Sequence, residues 1–379
     1  MRFDCVIIGG GLAGLTAGIS LQRDGRGTAI VSMGQNALHF FSGCFESLQE
    51  PPQRMRELFD GAGIPLHYEK GVRLMPLGTF RPAALALEDI DLLPVPHFAD
   101  KVLVVGIAGF QDFFPGFLCD GLAREGMQCR AVQLELPELE KLRLSPTEVR
   151  SVQVARTLDR IWGKVIRETK RQLRDEDAVV LPQVFGLQDP SVPNFIRQGL
   201  PVRVIFAGTL PPSVPGIRTQ MLLKRRYEEL GGTYLAGDEV VSAVLDRDVV
   251  KSVSTRNLDS HCLEAGQFLL SSGAYFSKGL KASPSGITEP VFGLDVEQAA
   301  ERTAWYDPDF AAGQPYMQFG VKTDTALHPL RKGRPLVNLY AIGSILGATR
   351  PESGTGAGLA VRSAFAAVDE ILRRAQDDK

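Results

Sequence analysis

The first thirty residues alternate between apolar runs of different periodicity. Val6-Ile7-Ile8 is a β-branched run typical of a buried strand. From Leu12 to Leu21 the apolar residues recur at helical spacing, and Gly25 ends that pattern. Thr28 to Val31 is a second β-branched run. This strand, helix and strand order predicts the start of an α/β domain built on a parallel sheet.

The junction between the first strand and the first helix is a glycine loop. It reads Gly9-Gly10-Gly11-Leu12-Ala13-Gly14 and so has Gly-x-Gly-x-x-Gly spacing. Gly9 permits the tight turn, Gly11 lets the backbone approach a phosphate, and Gly14 lets the helix pack closely on the strand. We therefore expect all six residues to form a nucleotide pyrophosphate site at a helix N-terminus.

The segment after the second strand departs from the usual nucleotide-binding pattern. An Asp or Glu normally follows that strand and binds the ribose hydroxyls of an adenosine. Here Ser32-Met33-Gly34-Gln35 follows, and the next carboxylate is Glu46. Either Ser32 or Gln35 substitutes as a neutral hydrogen-bonding group, or the cofactor lacks the adenosine half.

The middle of the chain predicts an inserted α/β domain over residues 67–219. Apolar runs predict strands at 101–107, 129–134, 178–181 and 202–206. Helical patterns cover 111–125 and a long helix that begins at the capping box 145–148 and ends near 173. The cofactor domain is then discontinuous and consists of residues 1–66, 220–295 and 330–379. Residues 296–329 are predicted to be a separate connecting segment on the substrate side.

The last third of the chain returns to the first domain. We expect a helix at 221–230, antiparallel strands at 240–245 and 249–254, and an apolar strand at 267–274. That last strand contains Ser271-Ser272-Gly273, and these small residues are expected to pass close beneath a bound nucleotide, with Gly273 against it.

A second motif lies near the C-terminus. Asn338-Leu339-Tyr340-Ala341-Ile342-Gly343-Ser344 is followed by Gly354-Thr355-Gly356 and a helical pattern from 359 to about 374. Together with the first glycine loop, this arrangement resembles the flavoproteins with two dinucleotide-binding domains. The resemblance implies a Rossmann-like FAD/FMN-binding domain of the glutathione-reductase/fumarate-reductase type, with an inserted α/β domain. Gly343, Gly354, Thr355 and Gly356 would approach the flavin, where a helix N-terminus stabilises negative charge on its reduced form. The alternative for 354–358 is a flexible turn.

Composition narrows the classes of partner. The 379 residues carry a net charge of −2 with scattered Lys and Arg, which argues against nucleic acid. The five cysteines lie far apart, so we expect buried thiols in a reducing compartment and no metal or iron–sulfur site. No basic, apolar leader opens the chain, and no apolar run reaches the roughly 18 residues of a membrane helix. We therefore expect a cytoplasmic protein without direct membrane insertion.

Segments outside the cofactor loops carry a more specific resemblance. They span 2–4, 37–43, 76–81, 210–218, 293–296 and 319–324. With the glycine loop, they resemble the B subunit of the anaerobic glycerol-3-phosphate dehydrogenase nearly end to end. The family implies a cytoplasmic flavoprotein, peripheral on the inner membrane, that assembles with an FAD-containing catalytic subunit and an iron–sulfur membrane-anchoring subunit. It also implies oxidation of sn-glycerol 3-phosphate to dihydroxyacetone phosphate, electron transfer to menaquinone or fumarate, and FMN in the B subunit, with FAD as the alternative.

Several further residues are candidates for the site. Ser42 and Gly43 follow the second strand where related flavoproteins place small residues against the flavin ring, unless they form an ordinary loop. A phosphate-bearing alcohol needs a cationic clamp, for which Arg81 and Arg218 are candidates, and a base, for which His328 is the candidate. The alternatives are structural salt bridges for the arginines and a surface or capping role for the histidine.

Three functions remain open on the sequence. The first is the flavoprotein subunit of a glycerol-3-phosphate:quinone oxidoreductase. The second is a self-sufficient flavin dehydrogenase or reductase of the fumarate reductase type, acting on a dicarboxylate. The third is a flavin-holding relay subunit without substrate chemistry. Cys44 lies beside the predicted Ser42-Gly43 loop, but we expect an incidental thiol because no resolving cysteine is near in sequence.

Overall fold

The computed structural model of the protein describes residues 1–34, 36–46, 52–144, 150–258, 261–349 and 356–377. The chain forms two compact units. Unit 1 consists of Met1–Ala37, Pro52–Gly63 and Gln220–Lys379, and unit 2 consists of Leu38–Pro51 and Ile64–Thr219.

Helices and strands alternate along most of the described chain. The helices are α1 (Leu12–Arg23), α2 (Gln53–Gly61), α3 (Pro115–Arg124), α4 (Glu140–Arg143), α5 (Ser151–Gln172), α6 (Val192–Gly199), α7 (Val214–Glu229) and α8 (Gly356–Asp377). The longer strands are β1 (Arg2–Ile8), β2 (Thr28–Ser32), β3 (Leu66–Leu74), β4 (Phe80–Leu87), β5 (Lys101–Ile107), β6 (Gln128–Leu134), β7 (Ala178–Pro182), β8 (Arg203–Ala207), β9 (Thr233–Ala236), β10 (Val240–Asp246), β11 (Val249–Thr255) and β12 (Cys262–Leu270). Shorter strands follow: β13 (Lys281–Ser283), β14 (Gly286–Thr288), β15 (Val296–Glu297), β16 (Gly320–Val321), β17 (Leu330–Arg331), β18 (Arg334–Pro335) and β19 (Leu339–Ala341).

The main sheet of unit 1 has β1 near its centre. Its strand order is β10-β11-β12-β1-β2-β9, and β19 also pairs with β12. Strands β9, β2, β1, β12 and β19 are parallel, with Ile8 beside Leu270 and Leu270 beside Ala341. The β-branched run at the end of β1 is buried, as expected for a parallel strand covered on both faces. The carboxyl ends of these strands therefore meet at one edge of the sheet.

Helices α1 and α7 meet beside this sheet through Gly18 and Tyr227. Helix α1 contacts α8 and the β1–β2 region. Gly18 of α1 faces Tyr227 of α7, where an added Cβ would be 2.9 Å from the ring. The Tyr227 hydroxyl lies 2.7 Å from Thr28 Oγ1 and donates to the Thr233 carbonyl at 3.3 Å. This contact fixes α7 against strands β2 and β9.

Unit 2 has its own parallel sheet of four strands, in the order β6-β5-β7-β8. Apolar residues of these strands pack with α3, α5 and α6 in one buried cluster that includes Val104, Leu158 and Ile196. Strands β3 and β4 form a separate antiparallel hairpin. The order β6-β5-β7-β8 means that the chain crosses from one side of β5 to the other, the topology that in open α/β sheets creates a ligand crevice.

The boundaries differ from the sequence-based prediction in several places. Residues 38–51 belong to unit 2 rather than to the cofactor domain, and residues 296–329 belong to unit 1. Helix α3 begins at Pro115 and α7 at Val214, since proline is tolerated in a first helical turn. The predicted capping box at 145–148 lies outside the described residues.

The cysteines also differ in part from the prediction. Cys5 and Cys44 are buried free thiols, and Cys262 is partly buried. Cys119 on α3 and Cys129 on β6 form a disulfide across 5.2 Å between their Cα atoms. The sequence did not predict this pairing, because the two residues become neighbours only when α3 packs beside β6.

Candidate functional site

The candidate site lies at the carboxyl edge of the unit 1 sheet. Strand β1 leads into Gly9, β2 ends at Ser32, β12 leads into Ser271, and β19 leads through Ile342 into Gly343. In open α/β sheets, ligands bind outside the carboxyl ends of the parallel strands. The structure thus brings together both glycine motifs and the small residues after β12.

At Gly9 and Gly14 of the glycine loop, backbone carbonyl oxygens leave no space for a side chain. Gly9 has φ +116°, and a Cβ there would be 2.3 Å from the carbonyl oxygen of Ser271. A Cβ at Gly14 would be 2.0 Å from the Gly9 carbonyl oxygen. Gly11 is different, because the nearest atom to its added Cβ is Asn36 Cβ at 3.9 Å. Among the described residues, no close neighbour therefore fills the space in front of Gly11, at the N-terminus of α1.

The segment after β12 holds the glycine loop through hydrogen bonds. Ser271 Oγ donates to the carbonyl oxygens of Ile8 at 3.0 Å and of Gly9 at 2.8 Å. Ser272 Oγ is buried and has no hydrogen-bond partner among the described residues. Gly273 has φ +76° and approaches Ser277 and Ser344. An unsatisfied hydroxyl in this position is a costly feature unless a bound group supplies its partner.

The C-terminal motif joins the site through Gly343. This residue has φ +75°, and a Cβ there would be 2.9 Å from the Ala13 Cβ. Its N–H donates to Ser363 Oγ on α8 at 2.9 Å. Gly356 is the first residue of α8, whereas Gly354 and Thr355 lie outside the described residues. The predicted meeting of the two motifs is present on the described residues.

Protein groups close the site on the side of β2. Ser32 is buried, and a Cβ at Gly10 would be 2.2 Å from Tyr234 Oη and 2.7 Å from Ser32 Oγ. Asn36 Nδ2 donates to the Gly10 carbonyl at 3.1 Å. Burial raises the pKa of Tyr234, against the hydrogen bonds from Ser32 and Gln220, which lower it. Ser32 therefore contacts the protein's own polar groups.

These features fit a flavin cofactor. The N–H groups of the Gly9–Gly14 loop would hold its phosphate, and Gly343 would lie against it. When bound, a flavin supplies reversible two-electron acceptance, which none of these side chains can supply. The chain's own part is to bind and orient the cofactor and to keep the loop rigid through Ser271 and Asn36.

Ser42, Gly43, Arg81 and Arg218 all belong to unit 2. Ser42 Oγ accepts the Cys44 N–H at 3.2 Å, and Gly43 has φ +87°. Arg81 is half exposed, with Nε 3.6 Å from a Glu46 carboxylate oxygen. The buried Arg218 binds both oxygens of Asp89, at 2.6 and 2.7 Å, and donates to the Gly186 carbonyl at 2.9 Å. These contacts favour a structural salt bridge for Arg218 over the predicted role in binding a phosphate.

His328 lies in unit 1 and is 3% exposed. Its Nε2 is 2.7 Å from an Arg374 guanidinium nitrogen, and its Nδ1 is 2.9 Å from the Leu339 carbonyl oxygen. A guanidinium can only donate, so Nε2 accepts and Nδ1 carries the proton that is donated to Leu339. Both ring nitrogens are therefore engaged by protein groups, and the catalytic role of His328 stays a prediction that these contacts do not favour.

Comparisons with known proteins agree with this geometry. The sequence matches the family described as FAD binding domain over residues 4–60 and 49–359. It is 37% identical to a Pectobacterium atrosepticum protein named as the B subunit of anaerobic glycerol-3-phosphate dehydrogenase, over 98% of this chain and 99% of the relative. A Vibrio cholerae protein of the same name is 31% identical, over 98% and 97% of the two chains. The chain belongs to the family of anaerobic glycerol-3-phosphate dehydrogenase B subunits.

The family assignment confirms the resemblance and the fold class deduced from the sequence. The chain is therefore a flavoprotein, and its relatives are flavin-dependent oxidoreductases. A 3-ketosteroid Δ1-dehydrogenase from Sterolibacterium denitrificans aligns with a TM-score of 0.43 and 11% identity, over 98% of this chain and 99% of that one. In the described part of the chain, none of the helices combines the length and apolar character of a membrane-spanning segment.

Sequence reasoning missed three polar residues of the site. Ser271, Asn36 and Tyr234 all contact the glycine loop; Ser271 was expected near the nucleotide but not as a partner of the loop, and Asn36 and Tyr234 were not candidates. Ser271 had a signal, since it directly precedes Ser272-Gly273 at the end of a predicted strand. Tyr234 had none, because its approach to Gly10 depends on how β9 pairs with β2, and Asn36 had none, because its contact depends on how the loop after β2 folds back.

Proposed function

We propose that this chain is the flavoprotein B subunit of a glycerol-3-phosphate:quinone oxidoreductase. The complex oxidises sn-glycerol 3-phosphate to dihydroxyacetone phosphate and passes electrons to menaquinone or fumarate. Its partners are an FAD-containing catalytic subunit and an iron–sulfur subunit, which holds the cytoplasmic subunits on the inner membrane. The proposal is carried by 37% identity over essentially the whole length of a relative with this name.

We further propose that the flavin is FMN, with FAD as the alternative. The end of β2 presents Ser32 in place of the carboxylate that usually binds an adenosine ribose. Ser32 is buried, and its hydroxyl accepts the Gly34 N–H at 3.3 Å and lies beside Tyr234. These contacts leave this position poorly suited to bind a ribose. The family's description as an FAD binding domain supports a flavin but does not favour FMN.

Release of the cofactor tests both statements. The full chain is purified, denatured in acid, and the released compound is identified by chromatography and mass. We expect one flavin per chain with the mass of FMN. Release of FAD would refute the FMN assignment while leaving the family intact. A chain that never retains flavin, alone or in the complex, would refute the proposed function.

A flavin relay without substrate chemistry is the second candidate. It is favoured by the contacts of Arg218 and His328, because each already has a structural partner in its own unit. Turnover of the assembled complex separates the two candidates. If variants at Arg81, Arg218 and His328 fold, retain flavin and oxidise glycerol 3-phosphate at the wild-type rate, the relay stands. Loss of turnover with retained flavin supports a catalytic site in this chain.

A further inference from the structure

Unit 2 contains a buried arginine without a salt bridge to any described carboxylate. Arg73, near the end of β3, is 4% exposed. Among the described residues, the Arg73 side chain makes one hydrogen bond, from Nη1 to the Cys44 sulfur at 3.8 Å. Its Nε is buried and has no hydrogen-bond partner among them. Other arginines of this unit, such as Arg197 and Arg218, each bind a carboxylate. Arg73 therefore differs from Arg197 and Arg218, because it has no ion pair with a described carboxylate.

Cys44 does not serve as the missing counter-ion. Burial raises the pKa of its thiol, and this effect exceeds the opposing influence of Arg73. The sulfur is then a neutral, weak acceptor at pH 7. Glu46 is close enough for its charge to interact with that of Arg73, but no described carboxylate forms a direct ion pair with the buried guanidinium, which is costly to the fold. Such a cost is expected where a ligand supplies the opposite charge.

A second arginine lies opposite Arg73 in the β3–β4 hairpin. Arg73 and Arg81 are directly paired in the antiparallel register, so their side chains leave the same face of the hairpin, where like charges repel each other. Arg73 is buried, whereas the Arg81 side chain is 43% exposed and lies beside Glu46. Burial raises the pKa of the Glu46 carboxyl more than the charges of Arg81 and Arg73 lower it. The pair therefore places one cation deep in the unit and one nearer to solvent.

The arginine pair lies near the ligand-binding edge of the unit 2 sheet. Gly208 directly follows β8, and a Cβ there would be 3.6 Å from Arg73 Nη2. The Gly208 N–H donates to the Leu74 carbonyl at 3.2 Å, which joins the end of β8 to the end of β3. Arg73 thus sits at the carboxyl end of a parallel strand, the edge at which open α/β sheets bind ligands.

We propose that Arg73 and Arg81 bind the phosphate group of a phosphate monoester, with Arg73 as the deep binding residue. That this ester is glycerol 3-phosphate rests on the proposed function. A phosphate dianion would give Arg73 the anionic partner that no described carboxylate supplies, and its charge would reduce the repulsion between Arg73 and Arg81. The planar guanidinium of Arg73 has the geometry to bind two phosphate oxygens at once.

Thermal melting of the flavin-loaded full chain tests the proposal. Glycerol 3-phosphate, inorganic phosphate and succinate are titrated separately, and affinity is read from the rise in Tm. We expect glycerol 3-phosphate to stabilise the wild type in a saturable manner. Arg73→Met should weaken this binding by about tenfold or more, since charge-assisted hydrogen bonds are lost. Arg197→Met is the matched control, because Arg197 already pairs with Asp91, and it should keep the wild-type affinity.

A second variant covers a failure of Arg73→Met to fold. Arg73→Lys keeps the charge but loses the planar fork, so it should fold and bind glycerol 3-phosphate more weakly than the wild type. Unchanged affinity in a folded Arg73 variant overturns the proposal. Succinate binding as tightly as glycerol 3-phosphate, with the same dependence on Arg73, also overturns it, since the site would then be a general anion site.

The two proposals fail in different ways. Binding of inorganic phosphate needs neither flavin nor turnover, so its loss in Arg73→Met would support the arginine site even if the complex did not oxidise glycerol 3-phosphate. Conversely, a complex that oxidises glycerol 3-phosphate with an unchanged KM in Arg73→Met supports the proposed function and overturns the arginine site. A raised KM with a nearly unchanged kcat is the result expected for phosphate binding.

Discussion

The backbone of Gly343 lies against the side chain of Ala13, with only 2.9 Å between the Ala13 Cβ and a Cβ added at position 343. This contact joins the first glycine loop to the C-terminal motif. Gly343 also donates its N–H to Ser363, so α8 is fixed to the same point. Two motifs from opposite ends of the chain therefore form one edge of the candidate flavin site.

Substitution of Gly343 by alanine should disturb both the fold and the site. Its φ of +75° costs an alanine about 1–2 kcal/mol, and the clash with Ala13 adds to this. We expect a lower free energy of unfolding and reduced flavin retention, measured by urea denaturation and by flavin absorbance of the purified chain.

Gly25→Ala is the matched control for this substitution. Gly25 has a similar φ of +73°, but no atom of the described residues lies within 4 Å of its added Cβ. It should therefore lose only the backbone part of the stability. The double variant Ala13→Gly/Gly343→Ala should recover the clash part. If the double variant is no more stable than the sum of its single changes, the contact does not limit the fold.

Gly11→Ala should separate cofactor binding from folding. The added methyl is no closer than 3.9 Å to any residue that the structure describes, so Tm should stay near that of the wild type. It would occupy the space in which the backbone approaches a phosphate, so flavin affinity should fall by about tenfold or more. Flavin titration monitored by fluorescence provides the measurement.

Two other glycines serve as comparisons. Gly116→Ala, with nothing near its added Cβ, should leave both Tm and flavin affinity unchanged. Gly14→Ala should lower both, since its Cβ would be 2.0 Å from the Gly9 carbonyl oxygen. Wild-type flavin affinity in Gly11→Ala would show that the phosphate does not bind at this loop.

The glycine loops could be predicted because their requirements are local. A strand, a tight turn and a helix follow one another within a few residues, so spacing alone indicates Gly9, Gly11 and Gly14. The meeting of Ala13 and Gly343 could be predicted only because the first glycine loop and the C-terminal motif belong to a known combination of motifs. Other contacts have no such local signal: that of Asn36 with Gly10 depends on how the loop after β2 folds back onto the glycine loop.

The unit 2 hairpin shows why other parts could not be predicted. Strand β3 contains Glu69 and Lys70 in an exposed stretch, so it lacks the regular alternation that identifies a strand. Without this hairpin, the register that sets Arg73 against Arg81 could not be deduced. The partner of Arg218 is likewise a distant carboxylate, Asp89, and a salt bridge of this kind leaves no pattern in the sequence.

Arg218 should contribute to stability through Asp89. Both side chains are largely buried, so Arg218→Met leaves an uncompensated carboxylate and should cost about 3–5 kcal/mol. The double variant Arg218→Met/Asp89→Asn removes that charge and should recover part of the loss. Urea denaturation measures both. A stable Arg218→Met with a strongly raised KM would instead assign Arg218 to substrate binding.

His328→Phe distinguishes a structural histidine from a base. The variant keeps a ring beside Tyr340 but loses the hydrogen bonds to Leu339 and Arg374, which should cost about 1–3 kcal/mol. We expect Tm to fall while kcat of the flavin-loaded complex changes by only a few fold. A fall in kcat of about a hundredfold or more at unchanged Tm would identify His328 as the base.

Glu370 should make the folded chain sensitive to acid. Hydrogen bonds from Arg373 and then Arg374 lower the pKa of its carboxyl from 4.5 to about 2. Because the folded pKa is depressed, the stabilisation is present above the unfolded pKa and is lost as the pH falls from about 4.5 towards 2. Glu370→Gln should therefore be less stable than the wild type at pH 7, and the difference should shrink with acidification. Tm measured from pH 7 to pH 3 gives both curves, and parallel curves would show that the Glu370 contacts with Arg373 and Arg374 do not stabilise the fold.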